Sequence, residues 1–133
     1  MEIEGLDKIL VDTSAWIDFF RKKEPLYSRV LKLLDEDRIC CTGIVLAELI
    51  QGTKTREEIK GLKDFVYVFT FLGESIKLWE KAGELSFNLK RAGKQVGLAD
   101  CYIATAASEG KVGVLTLDEH FGIIREFLDL KLL

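Results

Sequence analysis

A chain of 133 residues, 48% hydrophobic and 31% charged with a single proline, has the composition of one folded domain and not of a disordered segment, so one domain over residues 1–133 is expected. No apolar run approaches the ~20 residues that span a bilayer. The three cysteines offer no zinc-site spacing, and a lone histidine, His120, without a Gly-x-Ser-x-Gly motif argues against a serine-hydrolase triad.

In chain order, Lys8-Ile9-Leu10-Val11 reads as a short buried strand, and Ser14 to Arg21 as a helix ahead of a break at Pro25. Leu26 to Glu36 is a second helix, Arg38 to Thr42 a strand, and Ile44 to Gln51 a nearly all-apolar helix that stops at Gly52. A charged helix follows from about Thr55 to Asp64, then an aromatic and β-branched run, Phe65 to Phe71, that reads as a strand. Ser75 to Ala92 is amphipathic, with Gly93 as its stop, and Leu98 to Glu109 is a small-residue helix ended by Gly110. Val112 to Leu117 is a strand, Glu119 to Phe127 a helix, and Leu128 to Leu133 an edge strand. Strands alternating with helices define an α/β fold: a mostly parallel central sheet of about five strands with helices on both faces.

Open α/β sheets bind ligands at the carboxyl ends of their strands, and two aspartates fall there, Asp12 after the first strand and Asp118 after the last. A helix N-cap is the ordinary job of an aspartate at such a junction. Glu48 is the sole ion of its helix; with Gln51 it also fits the wet stripe of a buried helix. Asp100 is harder to explain structurally. Its helical-face neighbours are Ile103, Ala104 and Ala107, with Thr105 and Glu109 opposite, and a carboxylate on an apolar face costs several kcal/mol unless a cation or strong hydrogen bonds compensate it. Four oxygen donors without Cys or His suit Mg²⁺ or Mn²⁺, and with them metal-assisted phosphodiester hydrolysis. The net charge of −3 speaks against nucleic acid only until those four carboxylates are set aside, which leaves +1. Lys90, Arg91 and Lys94 are candidates for an RNA path, or ordinary solvated residues at a helix end.

The segments Val11-Asp12-Thr13-Ser14-Ala15-Trp16-Ile17-Asp18, Leu46-Ala47-Glu48-Leu49, Leu98-Ala99-Asp100-Cys101-Tyr102-Ile103-Ala104 and Leu115-Thr116-Leu117-Asp118-Glu119-His120-Phe121 together resemble the ordered motifs of a PIN-domain ribonuclease. The likeness runs over essentially the whole chain, whose length is similar to that of VapC-type toxins of toxin-antitoxin pairs. It implies that Asp12, Glu48, Asp100 and Asp118 form an acidic metal pocket supported by Ser14 and Thr116. It further implies RNA cleavage, a homodimer and inhibition by an antitoxin. Ser14 and Thr116 read equally well as a helix cap and a strand threonine. The bulky Trp16, Ile17, Phe19 and Phe20 read as core, with a partner groove as the alternative.

Other classes fit less well. A phospho-accepting receiver domain needs an aspartate after its third strand, where this chain has Phe69-Thr70-Phe71, and paired acids after its first, where Asp12 is followed by Thr13. An RNA-processing nuclease outside a toxin-antitoxin pair, or a catalytically silent binding module, stays open. The acids Glu2, Glu4 and Asp7 stand where a signal peptide carries positive charge, so the expected location is the cytoplasm.

Overall fold

The computed structural model describes residues 8–133; Glu2, Glu4 and Asp7, on which the cytoplasmic expectation rests, lie outside the described residues. Four short strands, β1 (Ile9–Val11), β2 (Ile39–Cys41), β3 (Thr70–Phe71) and β4 (Gly113–Leu115), form one sheet in the order β3-β2-β1-β4, and every neighbouring pair is parallel. Ile9 lies opposite both Ile39 and Gly113, and Val11 opposite Leu115. All residues of β1, β2 and β4 are buried. Because successive side chains point to opposite faces, burial of every residue means that both faces of the sheet are covered.

Parallel neighbours require crossovers, and each crossover here holds two helices. Between β1 and β2 run α1 (Thr13–Phe20) and α2 (Leu26–Asp35); between β2 and β3, α3 (Gly43–Gln51) and α4 (Arg56–Val66); between β3 and β4, α5 (Ile76–Arg91) and α6 (Leu98–Gly110); α7 (His120–Ile124) follows β4. The first two crossovers step outward from β1, and the third returns to its far side. That reversal makes β1 and β4 neighbours and opens a crevice beyond their carboxyl ends.

Local chemistry sets the helix ends. Thr42 and Ser75 cap α3 and α5 through their hydroxyls, and Thr55 with Glu58 forms a reciprocal capping box on α4. Gly93, at φ 75°, closes α5 in a Schellman motif, with Lys94 N–H reaching the Leu89 carbonyl at 2.9 Å. None of the described helices is long and apolar enough to cross a membrane.

Several expectations are corrected. The run Phe65 to Phe71 is not a strand throughout: α4 extends to Val66, and only Thr70–Phe71 pairs with β2. Leu62, Phe65, Val66 and Phe69 repeat at helical spacing, and the ring of Trp16 stacks on Phe20 and Phe69, both at 5.7 Å, while Phe65 meets it edge-on. The C-terminal edge strand reduces to one parallel bridge, Val114 to Leu132, flanked by two backbone hydrogen bonds of 2.9 Å. Gly110 does not supply the left-handed residue after α6; Lys111 does, at φ 56°, while a Cβ on Gly110 would stand 3.2 Å from the Leu72 side chain. Thr105 does not face solvent. It is 2% exposed and donates to the Cys101 carbonyl one turn back, so α6 is buried from Cys101 through Ala107.

Candidate active site

The crevice beyond β1 and β4 is where the predicted acids gather. Asp12 occupies the N-cap position of α1, yet its side chain makes no capping hydrogen bond. Its Oδ2 instead accepts from Ser14 Oγ at 2.9 Å and Thr116 Oγ1 at 2.8 Å, and the residue is only 4% exposed. The same two hydroxyls accept backbone N–H groups, Ser14 from Leu117 at 3.0 Å and Thr116 from Asp118 at 3.0 Å. The end of β1 is thereby laced to the segment after β4. Ser14 and Thr116 act as supports of Asp12 and not as a helix cap and a plain strand residue.

Asp118 performs local turn work as well, since its Oδ1 accepts the backbone N–H of His120 at 2.9 Å. Glu48 reaches the site from the middle of α3 and accepts a short hydrogen bond, 2.6 Å, from Thr13 Oγ1 at the start of α1. Asp100 lies in the first turn of α6, where exposed backbone N–H groups favour an anion. Even so, burial first, then the charges of Asp118, Asp12 and Glu48, push its carboxyl up to about 6, with His120 pulling the other way. The charges of all four acids are thus felt at Asp100, but among the described residues only Asp100 and Asp118, with His120, bring ligand atoms within 4.8 Å of one another; Asp12 and Glu48 stand outside that group.

His120 and Thr13 are the residues that sequence reasoning left out. The His120 Nδ1 lies 3.3 Å from Asp118 Oδ1 and 3.6 Å from Asp100 Oδ2. Its signal was available: the sole histidine follows a strand-end aspartate by two positions. Thr13 carried none beyond its adjacency to Asp12. Lys90, Arg91 and Lys94 are exposed at the end of α5 and the turn beyond it, and among the described residues no hydrogen bond or ion pair joins them to the acids. The Arg91 guanidinium sits 5.6 Å over the Phe87 ring.

The cysteines are not reactive groups. Cys40, Cys41 and Cys101 are buried and free, and burial pushes the thiols of Cys40 and Cys41 up to about 12 and about 11. On the other side of Glu48 a groove of about 640 Å³ runs between α1, α3 and α4, lined by Ile17, Phe20, Leu49, Leu62 and Phe65 with Arg21 at its rim. Trp16 is therefore core, whereas Ile17 and Phe20 present apolar surface to this groove.

Residues 9–126, which include all four acids, match the sequence model of the PIN domain, and the chain belongs to the PIN domain family. Among solved structures it is similar to VapBC2 of Rickettsia felis bound to a promoter DNA fragment, with 24% identity and a TM-score of 0.74 over 94% of this chain and 96% of that one. It is also similar to VapBC-1 of nontypeable Haemophilus influenzae, with 23% identity and a TM-score of 0.75 over 94% and 96%. A third is VapC20 of Mycobacterium tuberculosis, a sarcin-ricin-loop-cleaving toxin, with 14% identity and a TM-score of 0.64 over 87% and 94%. At such identities the likeness establishes the fold. No curated protein matches the chain by sequence.

Proposed function

We propose that this protein is a divalent-metal-dependent endoribonuclease and the toxin of a toxin-antitoxin pair, with Asp12, Glu48, Asp100 and Asp118 as its catalytic and metal-holding residues. The observation that carries the reading is the approach of Asp100 and Asp118, with His120, to within 4.8 Å at the crevice between β1 and β4, where the charges of Asp12 and Glu48 also act on Asp100. Among the described residues no lysine or arginine pairs with any of the four, so protein cations leave their charge uncompensated apart from the His120 ring. Packed carboxylates without a balancing cation are costly, and an all-oxygen set suits Mg²⁺ or Mn²⁺. The donor set therefore fits such an ion, held by Asp12, Glu48 and Asp100 with Asp118 completing the pocket.

When bound, the cation supplies positive charge for the phosphate and makes water acidic enough to attack at neutral pH. The side chains supply position. Ser14 and Thr116 hold Asp12 through one of its two oxygens, and Thr13 orients Glu48. Water is the nucleophile, so no serine, cysteine or ribose hydroxyl forms a bond to phosphorus. Lys90, Arg91 and Lys94 guide the RNA backbone toward the acids. An antitoxin covers the groove beside Glu48, a reading supported by its apolar lining and by structural neighbours that are VapBC pairs. A homodimer and a cytoplasmic location complete the proposal.

The test is incubation of the full chain with defined RNAs, with and without Mg²⁺ or Mn²⁺, followed by mapping of cut positions and chemistry of the new ends. Metal-dependent cleavage lost in Asp100→Asn, with no 2′,3′-cyclic phosphate, is expected. Cleavage that persists in chelator, or cyclic ends, would contradict the reading.

A further inference from the structure

His120 is more than a neighbour of the acids. Its Nδ1 faces both Asp100 Oδ2 and Asp118 Oδ1, and one ligand atom from each of the three residues falls within 4.8 Å of the others. Two atoms each bonded ~2.1 Å from one ion stand roughly 3.0 Å apart at a right angle and roughly 3.4 Å apart at the tetrahedral angle. The Nδ1 to Asp118 separation of 3.3 Å falls within that span, and the Nδ1 to Asp100 separation of 3.6 Å exceeds its upper end by about 0.2 Å, a small side-chain adjustment. The ring is also free to serve: its side chain is 46% exposed, and its position is set from the backbone, where His120 N–H is anchored on Asp118 Oδ1 at 2.9 Å.

We propose that His120 is itself a ligand of the divalent cation through Nδ1 and biases the centre from Mg²⁺ toward Mn²⁺ and its first-row neighbours. The proposal rests on the reading above that these acids hold such an ion. An imidazole nitrogen is a softer donor than a carboxylate or water. It suits transition metals, whose affinity for nitrogen exceeds that of Mg²⁺, while Mg²⁺ takes oxygen and keeps its waters. Asp12, Glu48, Asp100 and Asp118 alone would give a centre with little preference; adding one nitrogen changes the donor set at a single position. The competing role is electrostatic, a protonated ring bridging two carboxylates, and it makes a different prediction because charge acts on both ions alike.

Calorimetric titration of the full chain with Mn²⁺ and, separately, Mg²⁺ separates these roles when wild type, His120→Ala, His120→Asn and Asp100→Asn are compared, with pulsed electron paramagnetic resonance on the Mn²⁺-loaded samples. Metal-free melting curves confirm that each variant is folded, and the asparagine variant keeps a polar group at the position. Both His120 variants are expected to lose about tenfold or more in Mn²⁺ affinity, to change Mg²⁺ affinity by less than about threefold, and to lose the nitrogen modulation of the Mn²⁺ echo. Equal losses for both ions, an unchanged Mn²⁺ affinity or persistent nitrogen modulation would overturn the assignment. In those cases the site itself stands if Asp100→Asn still abolishes binding. A wild-type protein that binds neither ion overturns the site and the ligand together.

Discussion

Thr116 Oγ1 donates to Asp12 Oδ2 at 2.8 Å, joining two residues 104 positions apart that directly follow the neighbouring strands β4 and β1. Ser14 donates to the same oxygen, and each hydroxyl in turn accepts a backbone N–H. A hydroxyl has one proton, so the 3.3 Å approach of Ser14 to Thr116 is contact between two donors already committed to Asp12. The chain of bonds runs from amide to hydroxyl to carboxylate, each link polarising the next.

Thr116→Val keeps the shape but strips Asp12 of one donor and leaves the Asp118 N–H without its acceptor. A loss of about 1–3 kcal/mol is expected, with Thr116→Ser within about 1 kcal/mol of wild type. Urea unfolding at neutral pH checks this, and equal stability of the valine and serine variants would mean that the hydroxyl carries nothing.

The carboxyl of Asp100 gives a pH signature. Its folded pKa of about 6 lies above the ordinary 3.8, so the folded chain binds the proton more tightly than the unfolded one. The contribution of Asp100 to the stability of the metal-free protein is therefore fully present below pH ~4, is lost as pH rises from ~4 to ~6, and stays lost above, a change on the order of 3 kcal/mol. Asp100→Asn removes that share of the slope and melts higher than wild type at pH 7 without metal. Melting both proteins from pH 4 to 8 reads the difference directly; parallel curves would place Asp100 outside the cluster.

Much of this was legible in the sequence because short-range signals and burial agreed. Ile9-Leu10-Val11, the hydroxyl caps of α3 and α5 and the Gly93 stop all say locally what the fold needs globally. Phe65 to Phe71 misled because aromatic residues favour strands and also fill helix faces, and the choice was made by a distant residue, Trp16, on which Phe65 and Phe69 pack. The four acids stood out by position at strand ends and on apolar faces. His120 and Thr13 act through contacts that only the folded crevice creates.

The aromatic cluster separates core from surface. Trp16 is fully buried between Phe20 and Phe69, whereas Phe20 is 46% exposed on the groove. Trp16→Ala should cost about 3–5 kcal/mol and Phe20→Ala under about 1.5 kcal/mol. Denaturant melts of the two variants decide this; similar costs would make Phe20 core as well.

Asp12, Glu48, Asp100 and Asp118 are proposed to share one cation site, and a melting series with and without Mn²⁺ reads out that sharing. Like charges gathered in the crevice repel by an amount on the order of 1 kcal/mol per close pair, and a cation that binds only the folded state raises the melting temperature with its concentration. Glu80 and Glu84, exposed on α5, serve as the control pair; Glu58 does not, because its carboxylate accepts the Lys54 and Thr55 N–H groups at the start of α4. Wild type and the Glu80/Glu84 double Gln variant should gain stability together as Mn²⁺ rises. Asp12→Asn, Glu48→Gln, Asp100→Asn and Asp118→Asn should each gain much less, and their metal-free forms should be relieved of repulsion. Indistinguishable Mn²⁺ responses across all six proteins would show that the acids share no site, and the nuclease mechanism would fall with it.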